Sequence, residues 1–133
     1  MTPTESPSAL LRRAADRLEG LASAVPEGPW ALGGIGDYGW TVHMGDPASR
    51  TFESIDTRMD SEEGRALAAY IATMGPLTAL PFAAILRAAA DDADVCDRQN
   101  SYRPDDYGRT RVMYHPMVVA AIEAARRILG EGR

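Results

Sequence analysis

The sequence predicts an α+β fold: a small antiparallel three-stranded sheet over about residues 30–56, packed by four helices at about 7–24, 61–74, 77–92 and 116–129. Three observations predict it. Apolar residues recur at three- and four-residue steps in separate stretches, the period of an amphipathic helix. Trp40, Val42 and Met44 alternate with Thr41 and His43, the period of a strand with one covered face. The strands also come in one run, where βαβ units would interleave them with helices, which argues against a parallel doubly wound sheet.

The first helix follows from Ser6 as N-cap and Pro7 at the first helical position, where a missing N–H costs nothing. Leu11, Ala14, Leu18, Leu21 and Val25 supply its stripe, and Pro26 ends it, giving Pro7–Ala24. Residues 1–6 are a polar, flexible lead, and 7–133 read as one domain. Trp30-Ala31-Leu32, Trp40–Met44 and Thr51–Ile55 are the strands, separated by glycine-rich turns. Trp30 and Trp40 are expected to anchor the first and third helices to the sheet.

Asp60 with Glu63 three positions on has the spacing of a capping box, so the second helix starts there. Leu67, Tyr70, Ile71 and Met74 form its expected core stripe, and Gly75-Pro76 ends it. Leu77–Ala90 has only Thr78 and Arg87 as polar residues, which predicts a core helix with the other elements around it. At that length it is too short for a bilayer, which needs about 20 residues. Pro81 either forces the helix to start near Thr78 or kinks it. Asp91, Asp92 and Asp94 stand at the wrong end for the helix dipole and are expected to stop it. The segment from Cys96 to Arg111 has no helical period and reads as a long loop, with a possible short strand over 111–114. His115-Pro116 opens the last helix, whose stripe is Val118, Ile122, Ala125 and Leu129, and Gly130 closes it.

Composition bounds the function. A hydrophobic fraction of 45% with 25% charged residues is that of a globular chain. The net charge of −5 disfavours nucleic acid and anionic lipid as partners. Cys96 is the only cysteine, so no disulfide forms within the chain. With no signal-peptide pattern at the start, the expected location is cytoplasmic.

Gly34-Ile35-Gly36-Asp37-Tyr38-Gly39 matches the dinucleotide-binding G-x-G-x-x-G letter for letter. That motif needs a helix after it to receive the pyrophosphate, and here a strand follows. A hairpin turn is therefore the better reading, with Gly34, Gly36, Asp37, Tyr38 and Gly39 kept as an alternative ligand loop. Asp91, Asp92, Asp94, Cys96 and the two histidines, His43 and His115, lack any recognised metal-site spacing, so neither a metal nor a cofactor is expected. No nucleophile–base–acid set stands out: Ser49, Ser54 and Ser61 lack the glycine flanks of a nucleophile elbow, and no catalytic residue is assigned.

The segment 97–111 interleaves arginine with tyrosine, and both give large contact area with directional bonds. Arg98, Tyr102, Arg103, Tyr107, Arg109 and Arg111 are the candidate binding residues. Asp97, Asp105 and Asp106 nearly cancel the local charge, which again counts against nucleic acid. The competing account is a solvated loop held by its own Arg–Asp pairs.

Leu10–Ala15, Gly28-Pro29-Trp30 and Tyr70-Ile71-Ala72-Thr73-Met74-Gly75-Pro76, followed by the Leu77–Ala90 helix, resemble a group of small uncharacterised proteins of actinobacteria and their phages. The likeness covers roughly residues 8–92. It departs at Glu27, where a small residue is usual, and at Gly64-Arg65-Ala66, where the group is more acidic. The resemblance implies a phage or mobile-element accessory protein and transfers no catalytic residue. The expected function is thus a non-enzymatic interaction protein whose partner is a host or phage protein. The alternative is a binder of a small nucleotide-like signal. A homodimer is also expected, because three amphipathic helices and a small sheet would not cover the third helix and the apolar side of the fourth.

Overall fold

A computed structural model describes residues 5–45, 53–99, 102–104 and 110–131, the last two short strands by their backbone. The element order is α1 (Pro7–Ala24), β1 (Trp30–Gly36), β2 (Gly39–Met44), β3 (Glu53–Asp56), α2 (Glu62–Thr73), α3 (Pro76–Arg98), β4 (Tyr102–Pro104), β5 (Thr110–Val112) and α4 (Pro116–Ile128). Four helices and the antiparallel sheet β1-β2-β3 make this the expected α+β fold, with β4-β5 as an added two-stranded ribbon. The chain divides into two compact units, one of residues 1–18 and 82–133, the other of residues 19–81.

In the first unit, α1 begins as its sequence predicts: the Ala9 N–H donates to Ser6 Oγ at 3.2 Å. Small residues dominate the core. Leu11 and Ala14 of α1, Ala83, Leu86 and Ala90 of α3, and Val118 and Ala125 of α4 have no exposed surface. α4 ends in a Schellman arrangement: the Glu131 N–H donates to the Arg126 carbonyl, the Gly130 N–H to that of Arg127, and Gly130 takes a φ of 71°.

The three acids do not end α3, which runs on to Arg98. Arg12 bonds Asp91 at 2.9 Å and Asp94 at 2.8 Å, Asp92 meets His115, and Asp97 accepts from the Tyr114 hydroxyl at 2.8 Å. Specific partners on α1 and before α4 outweigh a dipole penalty of at most about 1 kcal/mol each. Nor is α3 buried all round, since Leu77, Leu80 and Ile85 are about half exposed or more. Pro81 lies inside the helix, not at its start.

In the second unit, β2 is the central strand and its Val42 is fully buried. The glycine-rich stretch is more regular than the sequence suggests: β1 extends to Gly36, leaving Asp37-Tyr38 as the two-residue turn. Leu32 pairs with Val42 and Ile35 with Trp40, so Gly33 and Gly34 together face Thr41 in a β-bulge. The Thr41 hydroxyl donates to the Gly34 carbonyl at 2.8 Å, which explains a buried polar residue on the strand. Of the expected third strand, Thr51 and Phe52 lie outside the described residues.

The sheet packs on α2, with Val42, Met44 and Ala68 at the centre and Trp30, Trp40 and Ile71 around them. The tryptophans accordingly serve α2. The Trp30 ring lies over Gly75, where an added Cβ would come within 2.9 Å of it, and its indole N–H donates to the Pro26 carbonyl. The cap of α2 is Ser61, one residue later than expected, its Oγ accepting from the Gly64 N–H at 3.3 Å. Met59 fixes that shift. Its backbone is wedged between Gly39, at a φ of 96°, and Gly64. The Met59 carbonyl also accepts from the Trp40 N–H at 2.9 Å.

Candidate functional site

The residues singled out by sequence fall in two separate places. Gly34, Gly36, Asp37, Tyr38 and Gly39 form the tip of the β1–β2 hairpin in the second unit. Gly36, Asp37, Tyr38 and Gly39, but not Gly34, line an open recess of about 470 Å³ together with Ile35, Arg58 and Asp60. Arg58 adopts a left-handed φ of 59° and sets its guanidinium over the Tyr38 ring, 5.7 Å from the centroid. The strand β2, and no helix, follows the glycines directly in the chain.

The Arg/Tyr segment belongs to the first unit. It is not one long loop. Arg98 closes α3, Tyr102 and Arg103 are on β4, and Arg111 is on β5, directly opposite Arg103 in the antiparallel register. Tyr107 and Arg109 lie outside the described residues.

Sequence reasoning missed a third place. Of the expected core stripe of α2, Ile71 packs against the sheet cluster, but Leu67, Tyr70 and Met74 do not. The structure turns these three to solvent at 40%, 67% and 49% exposure, and it buries Ala68 against the sheet and Gly64 against Met59. Small residues let α2 approach β2 closely, and Met59 leaves no room beneath Gly64 for a side chain. Positions 67, 70 and 74 share one face by helical spacing. Next in sequence, Leu77 and Leu80 line a recess of about 330 Å³ with Ala22, Ser23, Glu27 and Gly28. A pattern of large and small apolar residues cannot say which set faces inward. The only signal was that Gly64, Ala68 and Ala72 also recur at four-residue steps.

The structure also joins residues that sequence spacing kept apart. Asp92, Cys96 and His115 bring a carboxylate oxygen, the thiol sulfur and a ring nitrogen within 4.8 Å of one another. Asp92 and Cys96 are one turn apart on α3. His115 occupies the N-cap position of α4 yet makes no side-chain capping bond, and its Nδ1 lies 2.7 Å from Asp92 Oδ2. Cys96 is 3% exposed, while the His115 side chain is 69% exposed.

No family model, no curated protein and no solved structure matches the chain. Among the described residues, no single helix is long and apolar enough to cross a membrane.

Proposed function

We propose that the chain is a non-enzymatic interaction protein that engages a host or phage protein through the exposed apolar residues of α2 and the start of α3, with the Arg/Tyr segment as a second contact. The observation that carries this reading is the outward row Leu67, Tyr70 and Met74, followed by Leu77 and Leu80 at a recess. Exposed large apolar side chains grouped on one helix face are typical of a protein contact, and a recess lined by leucines can receive an anchoring side chain. Glu27 at the rim favours an anchor flanked by a basic residue. In the ribbon, Arg103 and Arg111 are register partners along the backbone, which brings two arginines of the segment to one rung of the strand pair. The resemblance to phage-associated proteins points to the same class of role.

The test is affinity capture from host lysate, with and without phage infection, using the natural chain beside Leu77→Asp/Leu80→Asp and Arg103→Glu/Arg111→Glu. One protein should be retained by the natural chain and lost from both variants. Identical capture by all three overturns the reading.

A second reading, a nucleotide-like ligand at the hairpin tip, has one observation in its favour: the recess beneath residues 35–39. Asp37 and Asp60 in its wall oppose a phosphate, and Arg58 already rests on Tyr38. A thermal-shift panel separates the two. A nucleotide at a hundred times its Kd adds about 2.7 kcal/mol, and no shift is expected.

A further inference from the structure

We propose that Asp92, Cys96 and His115 bind a zinc-like divalent cation that fastens the end of α3 to the start of α4. Among the described residues, the four α3 acids near this point are engaged differently. Arg12 takes Asp91 and Asp94, and Tyr114 takes Asp97. Asp92 alone is turned to an imidazole, with a thiol beside both. Spacing of i and i+4 puts Asp92 and Cys96 on one face of α3, and the N-cap position of α4 supplies the third donor from the surface side.

The donor set decides the ion. One sulfur, one nitrogen and one oxygen suit zinc and its borderline-soft neighbours, whereas calcium takes six to eight oxygens. Three protein ligands leave a fourth position for water or a group from a partner. The shape also decides against a nucleophilic relay, in which the imidazole stands between carboxylate and thiol and keeps them apart. Here all three donor atoms are mutual neighbours, and a thiol at 3% exposure offers no path to a substrate. In a tetrahedral zinc site the nitrogen and oxygen ligands stand about 3.3 Å apart. The present 2.7 Å contact would therefore open slightly as the ion replaces the shared proton, and the exposed His115 ring has room to move. The ligands bracket residues 97–114, so an ion would close the base of the β4–β5 ribbon. This site lies in the first unit and does not depend on the apolar surface of the second.

The experiment titrates the metal-free full-length chain with Co²⁺, then displaces it with Zn²⁺. We expect one equivalent bound at micromolar concentration, tetrahedral cobalt absorption and a thiolate-to-cobalt charge-transfer band. Cys96→Ser should remove that band. His115→Gln, at an exposed side chain, should keep the helical circular dichroism and weaken binding by about tenfold or more. Failure to saturate in this range overturns the proposal. So does binding that survives His115→Gln unchanged, which would assign the ion to surface carboxylates alone.

Discussion

At the scale of the residue, two helical glycines make opposite predictions. Gly20 in α1 has open space where a Cβ would go, whereas at Gly64 an added Cβ would stand 2.5 Å from the Met59 Cβ. Removing glycine from a helix interior normally gains about 0.5–1 kcal/mol. Gly20→Ala should show that gain in urea denaturation. Gly64→Ala should instead lose about 1–3 kcal/mol, since crowding of a packed contact exceeds the propensity term. A stabilised Gly64→Ala would show that Met59 yields easily. Residue-level chemistry was legible where the cause is local: Ser6 caps α1 as its position before Pro7 implies, and Gly130 ends α4. The Ser61 cap was not legible, because Asp60 and Ser61 are both good caps and only the Met59 wedge chooses between them.

At the scale of the element, α3 carries the largest revision. A helix that continues through Pro81 gives up the bond that position would make to the Leu77 carbonyl, at a cost of up to about 3 kcal/mol. Pro81 is exposed, so Pro81→Ala should stabilise by about 1–3 kcal/mol without loss of packing. A shift of the denaturation midpoint would report it, and no shift would mean that a bend at Pro81 prevents the bond in any case. The extent of α3 was hidden because its last two turns are held by Arg12, Tyr114 and His115, all distant in sequence. The orientation of α2 was hidden for a different reason. Hydrophobic period gives the axis of a stripe, and close approach to a sheet then rewards the smaller stripe. The hairpin tip was read correctly against its own motif, since alternation after Gly39 excludes the helix a dinucleotide requires.

At the scale of the whole molecule, charge is arranged as long-range pairs: Arg12 with Asp91 and Asp94, Arg13 with Glu5 and Glu131, Arg87 with Asp16. Asp94 is held below its ordinary 3.8 by a hydrogen bond from Ser8 and then by Arg12, and Glu5 below its ordinary 4.5 by Arg13. A carboxylate depressed in the folded state binds fewer protons there than when unfolded. Its contribution is therefore complete above the ordinary value and disappears as pH falls through the folded one. The share of stability that these two carboxylates supply should be constant above their ordinary values and decline as pH falls below them. Ser8→Ala should raise the Asp94 midpoint toward 3.8 in a carboxyl NMR titration, and an unmoved midpoint would show that Ser8 does not hold it. None of these pairs was legible, because the sequence offers many acids to each arginine and only the packing of small residues brings particular ones together.

Arg13 is where residue 5 and residue 131 meet, each 2.7 Å from the same guanidinium nitrogen. Glu5 and Glu131 are therefore neighbours within the first unit. Groups attached at Glu5 and at Glu131 would both sit beside the Arg13 guanidinium. Two labels placed at residues 5 and 131 would report almost the same position.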